Sequence, residues 1–358
     1  MSGTQPAASA AGHLRVLESA AWPGHAVRWQ LLPPTAAGHG PTATALTSTP
    51  TAAPLPADIT VLERGWLSAN NIVFTGPQGT AIVDTGYCAH AEQTVALVEG
   101  ALDGRPLDLL LNTHLHSDHC GGNAALQAAW PGVRTLIPPG QAAHVADWNP
   151  YALSYTPTGQ DCPRFRMDGV LQPGTALRLG TRDWQVHAAP GHDTHSVVLF
   201  EPHDSILISA DALWENGFGV VFPELEGDSA FGDVAATLDL IASLAPRTVI
   251  PGHGSVFHDA PRALQAARRR LDGFVQSPAK HALYAAKVLL KYKLLEWQRV
   301  HQDDLRAWAA ATPYFGMLQA RYFGDQPLPA WLDALADDLV RSGAAMRRGD
   351  GGQWLHNA

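Results

Sequence analysis

Apolar runs of about three to nine residues, bounded by turn-forming residues, recur along the chain from position 59 onwards. Such runs predict β-strands, and Gly-Pro-Gln-Gly at 76–79 predicts a hairpin turn between two of them. The predicted strands are Ile59–Leu67, Asn71–Phe74, Ala81–Val83, Leu107–Leu111, Thr135–Ile137, Ala176–Leu179, Trp184–Ala188, Val197–Phe200, Ile206–Ser209 and Thr248–Ile250.

Apolar residues spaced by three and four positions predict helices between these strands. The predicted helices are Ala91–Leu102, Ala124–Trp130, Val234–Leu244 and Arg262–Val275. We expect Asn123 to cap the second helix, and Asp259 with Pro261 to supply an N-cap and a first-turn proline for the last. Residues 140–173 have a looser pattern with aromatic residues and prolines, typical of a substrate-covering lid or of a loop packed on the domain.

The two ends of the chain differ from its middle. Residues 1–57 are rich in Ala, Pro, Thr and Gly and poor in bulky apolar residues, which predicts an irregular N-terminal arm. The last part predicts three helices and a hairpin, at 283–297, 304–311, 331–341 and 344–355. The sequence therefore predicts three parts, with bounds at 1–57, 58–275 and 276–358.

The chain has 358 residues, of which 46% are apolar and 16% are charged, as in ordinary globular proteins. The net charge is −9. Residues 276–358 hold ten Lys and Arg against eight Asp and Glu, so the rest of the chain carries −11. This acidic balance disfavours nucleic acid as a partner.

Cysteine usage and the N-terminal sequence bear on the compartment. Three cysteines cannot pair completely and have no metal-finger spacing, which is typical of a reducing compartment. Residues 1–17 lack a basic segment followed by an apolar one, and no apolar run approaches the roughly 20 residues of a membrane span. We therefore expect a cytoplasmic protein with no membrane partner.

Candidate chemistry is concentrated in Thr-His-Leu-His-Ser-Asp-His at 113–119, shortly after the predicted strand that ends at Leu111. Side chains at positions i and i+2 of a tight turn can point the same way, so His114 and His116 can bind one metal ion. Asp118 and His119 would then face a second ion. Imidazole nitrogens with a carboxylate oxygen favour zinc, iron or manganese, and the lack of thiolates argues against a structural zinc finger.

Three more candidate ligands, His192, Asp211 and His253, also follow predicted strands. Histidines scattered by chance would not fall repeatedly at strand ends, so we expect these residues to complete one metal site. Asp84 ends another strand. We expect it to hold a neighbouring loop through backbone N–H groups, with a supporting contact to the metal site as the alternative.

The chain resembles the metallo-β-lactamase superfamily over roughly residues 58–275. Five segments in the family's order carry the resemblance: Asp84-Thr85-Gly86, the His-x-His-x-Asp-His of 114–119, Gly191-His192, Ser209-Ala210-Asp211 and Gly252-His253. The resemblance implies an α+β fold, an αββα sandwich with two face-to-face sheets, helices outside and metals at one edge. It implies these ligands: His114, His116 and His192 for one ion, Asp118, His119 and His253 for a second, and Asp211 as a bridge.

Within the superfamily, the ligand set resembles the glyoxalase II-like branch, which includes thioester hydrolases and lactonases. Common β-lactamases have Cys where Asp211 stands, and flavodiiron proteins have Glu in place of His116. Zinc-dependent RNA nucleases share the ligands but usually carry an inserted domain or an RNA-gripping arm, neither of which is evident in this sequence. One departure is that His195 follows His192 at a spacing one residue shorter than in glyoxalase II, so glutathione recognition does not follow.

The implied reaction is hydrolysis of a small-molecule thioester, ester or lactone at two zinc ions, with iron or manganese as alternative metals. Ions about 3.5–4 Å apart can share a hydroxide that attacks a polarised carbonyl. Asp118 is the candidate catalytic residue, because it can orient that hydroxide or move a proton. Two alternatives stay open: a mononuclear iron persulfide dioxygenase, which resembles this fold, and a ligand-binding or regulatory protein without turnover.

The C-terminal pattern is similar to the winged-helix module that some superfamily members carry after the hydrolase domain. Arg347 and Arg348 would then lie in the wing and could contact DNA. The net charge of this part is only +2, and it lacks a basic recognition helix. Pocket shaping or a homodimer contact is therefore favoured over nucleic-acid binding.

Overall fold

The computed structural model describes residues 14–15 and 54–358, so most of the predicted N-terminal arm lies outside the described residues. The first sheet has seven strands in chain order, β1 to β7: Leu14–Arg15, Ile59–Glu63, Asn71–Gly76, Gly79–Val83, Leu109–Leu111, Arg134–Ile137 and Gly169–Val170. Strands β2, β3 and β4 are antiparallel, whereas β4 to β7 are parallel.

The second sheet contains β8 to β12: Ala176–Leu179, Arg182–Ala188, Val197–Glu201, Ile206–Ala210 and Thr248–Pro251. Strands β8 to β11 form an antiparallel meander, and β12 pairs in parallel with β11. A third, small sheet of the C-terminal part contains β13 to β15: Arg299–His301, Ala345–Arg348 and Trp354–Asn357, in the order β13-β15-β14.

The α-helices of the described part are α1 to α12: Ala91–Leu102, Ser117–Cys120, Asn123–Ala129, Ala142–Asp147, Tyr155–Thr158, Phe222–Glu226, Phe231–Leu244, Ala260–Gln276, Pro278–Trp297, Gln302–Ala311, Pro313–Tyr322 and Leu328–Arg341. Asp259 caps α8 as expected, because its side chain accepts the Arg262 backbone N–H. None of the described helices has both the length and the apolar composition needed to cross a membrane.

Alternation along the strands gives each large sheet two apolar faces. The layer between the two sheets includes Ile72, Phe74, Val83, Leu111, Trp184, Val186, Leu199 and Ile208. On the outer face of the first sheet, Val73 and Ile82 pack with Val98 of α1. On the outer face of the second, residues such as Val198 pack with α7 and α8. The order helices, sheet, sheet, helices confirms the expected α+β sandwich.

The C-terminal part has its own apolar core, built from α9 to α12 and the small sheet. The sequence predicts three helices here, and the structure adds a fourth, α11. It begins at Pro313, so only one residue separates it from the end of α10. The predicted winged-helix identity and the predicted boundary between 275 and 276, beside the end of α8 at Gln276, stay predictions.

Two local expectations are wrong. The strand predicted over Ile59–Leu67 ends at Glu63, because the backbone N–H of Arg64 donates to Oδ1 of Asn70 at 2.9 Å and the chain turns into a loop. Asn123 does not cap α3. It lies inside the helix.

The side chain of Asn123 instead joins two segments of the first sheet's edge. It donates to Oδ1 of Asn112 at 2.7 Å and accepts from Oγ1 of Thr85 at 2.8 Å. In the loosely patterned stretch 140–173, the structure contains the short helices α4 and α5 and strand β7. This stretch therefore has more regular structure than the sequence pattern indicates.

Candidate metal centre

The seven predicted ligands lie on loops that follow β5, β9, β11 and β12 and, for Asp118 and His119, on the short helix α2. Because these strands end at the same edge of the sandwich, their loops bring the side chains together. They form two groups: His114, His116 and His192 in the first, and Asp118, His119, Asp211 and His253 in the second. Within each group, one ligand atom from each residue lies within 4.8 Å of the others. The structure thus brings together the side chains of all seven residues that the sequence predicts as ligands.

Asp211 lies between the two groups. Its Oδ1 is 3.4 Å from Nε2 of His119 and 3.9 Å from Nε2 of His253, both in the second group. Its Oδ2 is 3.4 Å from Nε2 of His192, in the first group. Each carboxylate oxygen therefore faces a different group, which is the arrangement that a bridging ligand needs.

Several ligand atoms have no partner of their own. The Nε2 atoms of His114 and His119 are buried without a hydrogen-bond partner among the described residues. Burial and the neighbouring imidazoles hold the pKa of His114 well below its usual value. Burial and His192 lower the pKa of His116 to about 4. Neutral imidazoles with free lone pairs are the form in which histidine binds a metal ion.

The centre also has an excess of negative charge. Burial raises the pKa of Asp211, but the neighbouring imidazoles of His119 and His253 outweigh it and hold this pKa well below its usual value. Burial lowers the pKa of His119, yet Asp84 and Asp211 raise it well above its usual value. A buried divalent cation balances such an excess. The residues therefore fit a metal site in three respects: the types of donor atom, the buried nitrogen atoms without partners, and the excess of negative charge.

Asp84 performs both of the roles considered from the sequence. Its Oδ1 accepts the backbone N–H of Thr113 at 2.9 Å, and its Oδ2 accepts the Thr113 hydroxyl at 2.7 Å. The same Oδ2 lies 2.7 Å from Nδ1 of His119. This contact favours a proton on Nδ1 of His119, so that Nε2 can offer its lone pair when a metal ion displaces the second ring proton.

We expect Asp84→Asn to weaken metal binding by about 10–100-fold while the protein stays folded. The amide nitrogen cannot accept from His119, so the ring proton shifts to Nε2 and removes the lone pair. The measurement is a competition titration with a chromogenic chelator. Asp108→Asn is the matched control, because Asp108 likewise accepts the backbone N–H and the hydroxyl of one threonine, Thr80. A similar loss of metal affinity in both variants would contradict this role.

The backbone at two strand ends is held in a conformation that is uncommon for residues other than glycine. Asp84 has φ of 58° and Ala210, directly before Asp211, has φ of 46°. The register between β11 and β12 shifts at the same place, between Ile208 and Ala210. These departures from regular strand geometry orient the carboxylates of Asp84 and Asp211 toward the candidate metal centre. Such backbone strain is common at functional sites.

Close packing makes glycine necessary at position 252. A Cβ there would lie 2.3 Å from Oδ1 of Asp211 and 2.9 Å from Cε1 of His119. We expect Gly252→Ala to displace Asp211 and lower metal affinity at least about tenfold. Equilibrium dialysis against zinc measures this, and Gly232→Ala, where a methyl group meets open space, is the control. Unchanged zinc binding in Gly252→Ala would show that Asp211 is not needed in its present position.

Aromatic rings that the sequence patterns did not single out surround the centre. Trp66 stacks on the His253 ring at 5.3 Å between centroids, and Trp214 meets the same ring edge-on at 5.6 Å. The indole Nε1 of Trp214 also donates to Oδ1 of Asp211 at 3.2 Å. Phe222 packs edge-on against the imidazoles of His116 and His192. Only Trp214, three residues after Asp211, had a sequence signal, namely its proximity to a ligand.

A pocket with an empty volume of about 680 Å³, including its open mouth, leads to the two groups. Asp118, Asp211, His116, His192 and His253 line it. Ser154, Thr158 and Gln160, from the stretch 140–173, form part of its wall. Residues of α9 form another part.

The family model for the Metallo-beta-lactamase superfamily matches residues 64–253 of the sequence, more than half of the chain. The chain belongs to this superfamily. Its members are mostly hydrolases that bind divalent metal ions.

Curated relatives match mainly the same part. An acyl-coenzyme A thioesterase of Homo sapiens is 25% identical over 207 residues, which are 53% of this chain and 74% of that protein. A hydroxyacylglutathione hydrolase of Xylella fastidiosa (strain M23) is 30% identical over 199 residues, 54% of this chain and 64% of that protein.

Two solved structures extend over most of the chain. A metallo-beta-lactamase family protein from Thermus thermophilus has a TM-score of 0.50 and 19% identity, and covers 85% of this chain and 100% of its own. A beta-lactamase domain protein from Burkholderia ambifaria has a TM-score of 0.50 and 20% identity, and covers 87% of this chain and 97% of its own. At these identities the likeness shows the fold alone.

Proposed function

We propose that the protein is a metal-dependent hydrolase, of the glyoxalase II-like type, that cleaves a small-molecule thioester, ester or lactone at two divalent ions. Zinc is the first candidate metal. The observation that carries the proposal is the position of Asp211, with one carboxylate oxygen toward each group of ligands. Relatives named as an acyl-coenzyme A thioesterase and a hydroxyacylglutathione hydrolase support cleavage of an acyl derivative.

In this proposal His114, His116 and His192 hold one ion, Asp118, His119 and His253 hold the second, and Asp211 contacts both. Such ions, when bound, supply an acidified water and a Lewis acid for the carbonyl.

Asp118 lines the pocket, and its Oδ2 lies 3.0 Å from Nε2 of His253. This contact fixes one carboxylate oxygen. The other is left to orient a water molecule and accept its proton.

We also propose that residues 276–358 shape the substrate pocket and do not bind DNA. Side chains of α9 line the pocket. In the predicted wing, the guanidinium of Arg347 is already engaged, since it pairs with Asp337 at 2.5 Å and donates to Gln302 at 2.7 Å. A phosphate group would have to displace these partners in order to bind Arg347.

The test is a hydrolysis screen of thioesters, lactones and β-lactams on protein whose metal content has been measured. We expect hydrolysis of a thioester or lactone, little activity on β-lactams, and loss of activity on chelation. One iron per chain with oxygen consumption on a persulfide would establish the dioxygenase alternative. Binding of these compounds without turnover would favour a regulatory protein.

A further inference from the structure

One wall of the pocket is made by a single side of α9. Tyr284, Val288 and Tyr292 are spaced by four residues and Leu289 lies beside them, so all four fall on one side of the helix. The other side of α9 packs into the C-terminal core through residues such as Leu290. The C-terminal part thus contributes an apolar surface to the pocket of the hydrolase part.

Aromatic rings continue this surface up to the ligands. Trp66 and Trp214 lie 5.3 Å apart, edge to face, beside His253. Phe222 lies on the other side, against His116. A substrate whose carbonyl lies at the metal centre therefore has an apolar surface beside that carbonyl.

Apart from the candidate metal ligands, none of the described residues that line the pocket has a charged side chain. The guanidinium of Arg270 lies behind the wall, 5.4 Å over the Tyr284 ring, and donates to the carbonyl of Phe218.

On α9, Lys293 pairs with Glu296 at 2.7 Å and lies over the Trp297 ring. It is buried and already has an anionic partner. Away from the metal centre, a carboxylate on the acyl chain would consequently lose its hydration without gaining a cationic side chain as a partner, which is costly.

We infer that the acyl group of the substrate is apolar and uncharged, that it lies against α9, and that Val288 limits its length. This inference rests on the proposed hydrolase function. It assigns specificity for the acyl group to a helix that follows the superfamily match, which ends at residue 253.

The experiment uses thioesters with one neutral leaving group, N-acetylcysteamine, and acetyl, butanoyl, hexanoyl, octanoyl or succinyl acyl groups. We expect kcat/KM to rise roughly fourfold per methylene until the chain fills the pocket. Succinyl and butanoyl have the same number of carbons, and we expect the succinyl compound to react at least about tenfold more slowly.

Two variants test the position of the chain. Val288→Phe should lower kcat/KM for hexanoyl and octanoyl about tenfold and leave acetyl within about twofold. Val288→Lys should raise the succinyl rate relative to butanoyl at least about tenfold. Val275→Phe is the control, because Val275 is an exposed valine on α8. It should leave the whole series unchanged.

Equal rates for succinyl and butanoyl would overturn the inference, as would an equal loss at every chain length in Val288→Phe. If that variant does not fold, the series on the unaltered protein decides alone. Absence of hydrolysis for every thioester, ester and lactone would instead overturn the proposed function, and the inference with it.

Discussion

Replacing Asp211 with asparagine should lower hydrolysis by on the order of a hundredfold or more and leave about one bound divalent ion per chain in place of two. The two oxygens of Asp211 face different ligand groups, and asparagine offers an oxygen to only one of them. The amide nitrogen would face the other group with hydrogens where a lone pair is needed. Elemental analysis of dialysed protein, together with kcat/KM, measures both effects.

The control for this variant is Asp239→Asn. Asp239 lies on the exposed side of α7 and pairs with Arg268 at 2.6 Å, so its loss should change neither metal content nor rate. Full activity with two ions per chain in Asp211→Asn would contradict the bridging role. Loss of both ions would indicate that neither ligand group binds its metal ion without Asp211.

Replacing Asp118 with asparagine should lower kcat by about 10²–10⁴-fold. Asp118 is the one carboxylate that lines the pocket while it is also hydrogen-bonded to His253, among the residues that the structure describes. Asparagine preserves the size of the side chain and one oxygen, but it cannot accept a proton. We therefore expect a larger loss in kcat than in metal content, measured by steady-state kinetics on zinc-saturated protein.

Asp183→Asn is the control, because Asp183 is exposed and pairs only with Arg178 in the described contacts. An Asp118→Asn variant with unchanged kcat would exclude a catalytic role for this carboxylate. An Asp118→Ala variant that keeps its full biological effect without turnover would favour the regulatory alternative.

The candidate ligands could be identified from the sequence because each belongs to a local pattern. His114, His116, His192, Asp211 and His253 each lie close after a short apolar run, and strand ends meet at one edge of the sandwich. The contacts between each candidate ligand and the side chains that support it could not be predicted from such patterns. It depends on contacts between residues far apart in the chain.

Asp84 illustrates this limit. Its position before Thr85-Gly86 indicates a turn, but its contact with His119 arises from its φ of 58° and from the neighbouring strand β5. The stacking of Trp66 on His253 is similar, since these residues lie near opposite ends of the matched segment. Single-residue patterns contain no signal for either contact.

The two errors in secondary structure have different physical causes. Beyond Glu63 the apolar pattern favours a strand, but the hydrogen bond from Arg64 to Asn70 turns the chain away from the sheet. The sequence pattern does not predict α11 because Gly316 weakens its interior, whereas burial of Phe315 and Leu318 in the C-terminal core stabilises the helix. A hydrogen bond within a loop thus overrides the predicted strand, and tertiary packing overrides the weak helix propensity.

The most direct test of the central claim is the hydrolysis rate of metal-free protein as zinc is added in measured equivalents. The two ligand groups joined by Asp211 predict that activity on a neutral thioester or lactone rises to a plateau at two equivalents per chain. A plateau at one equivalent, or an undiminished rate in protein from which the metal has been removed, would contradict a two-ion hydrolytic centre.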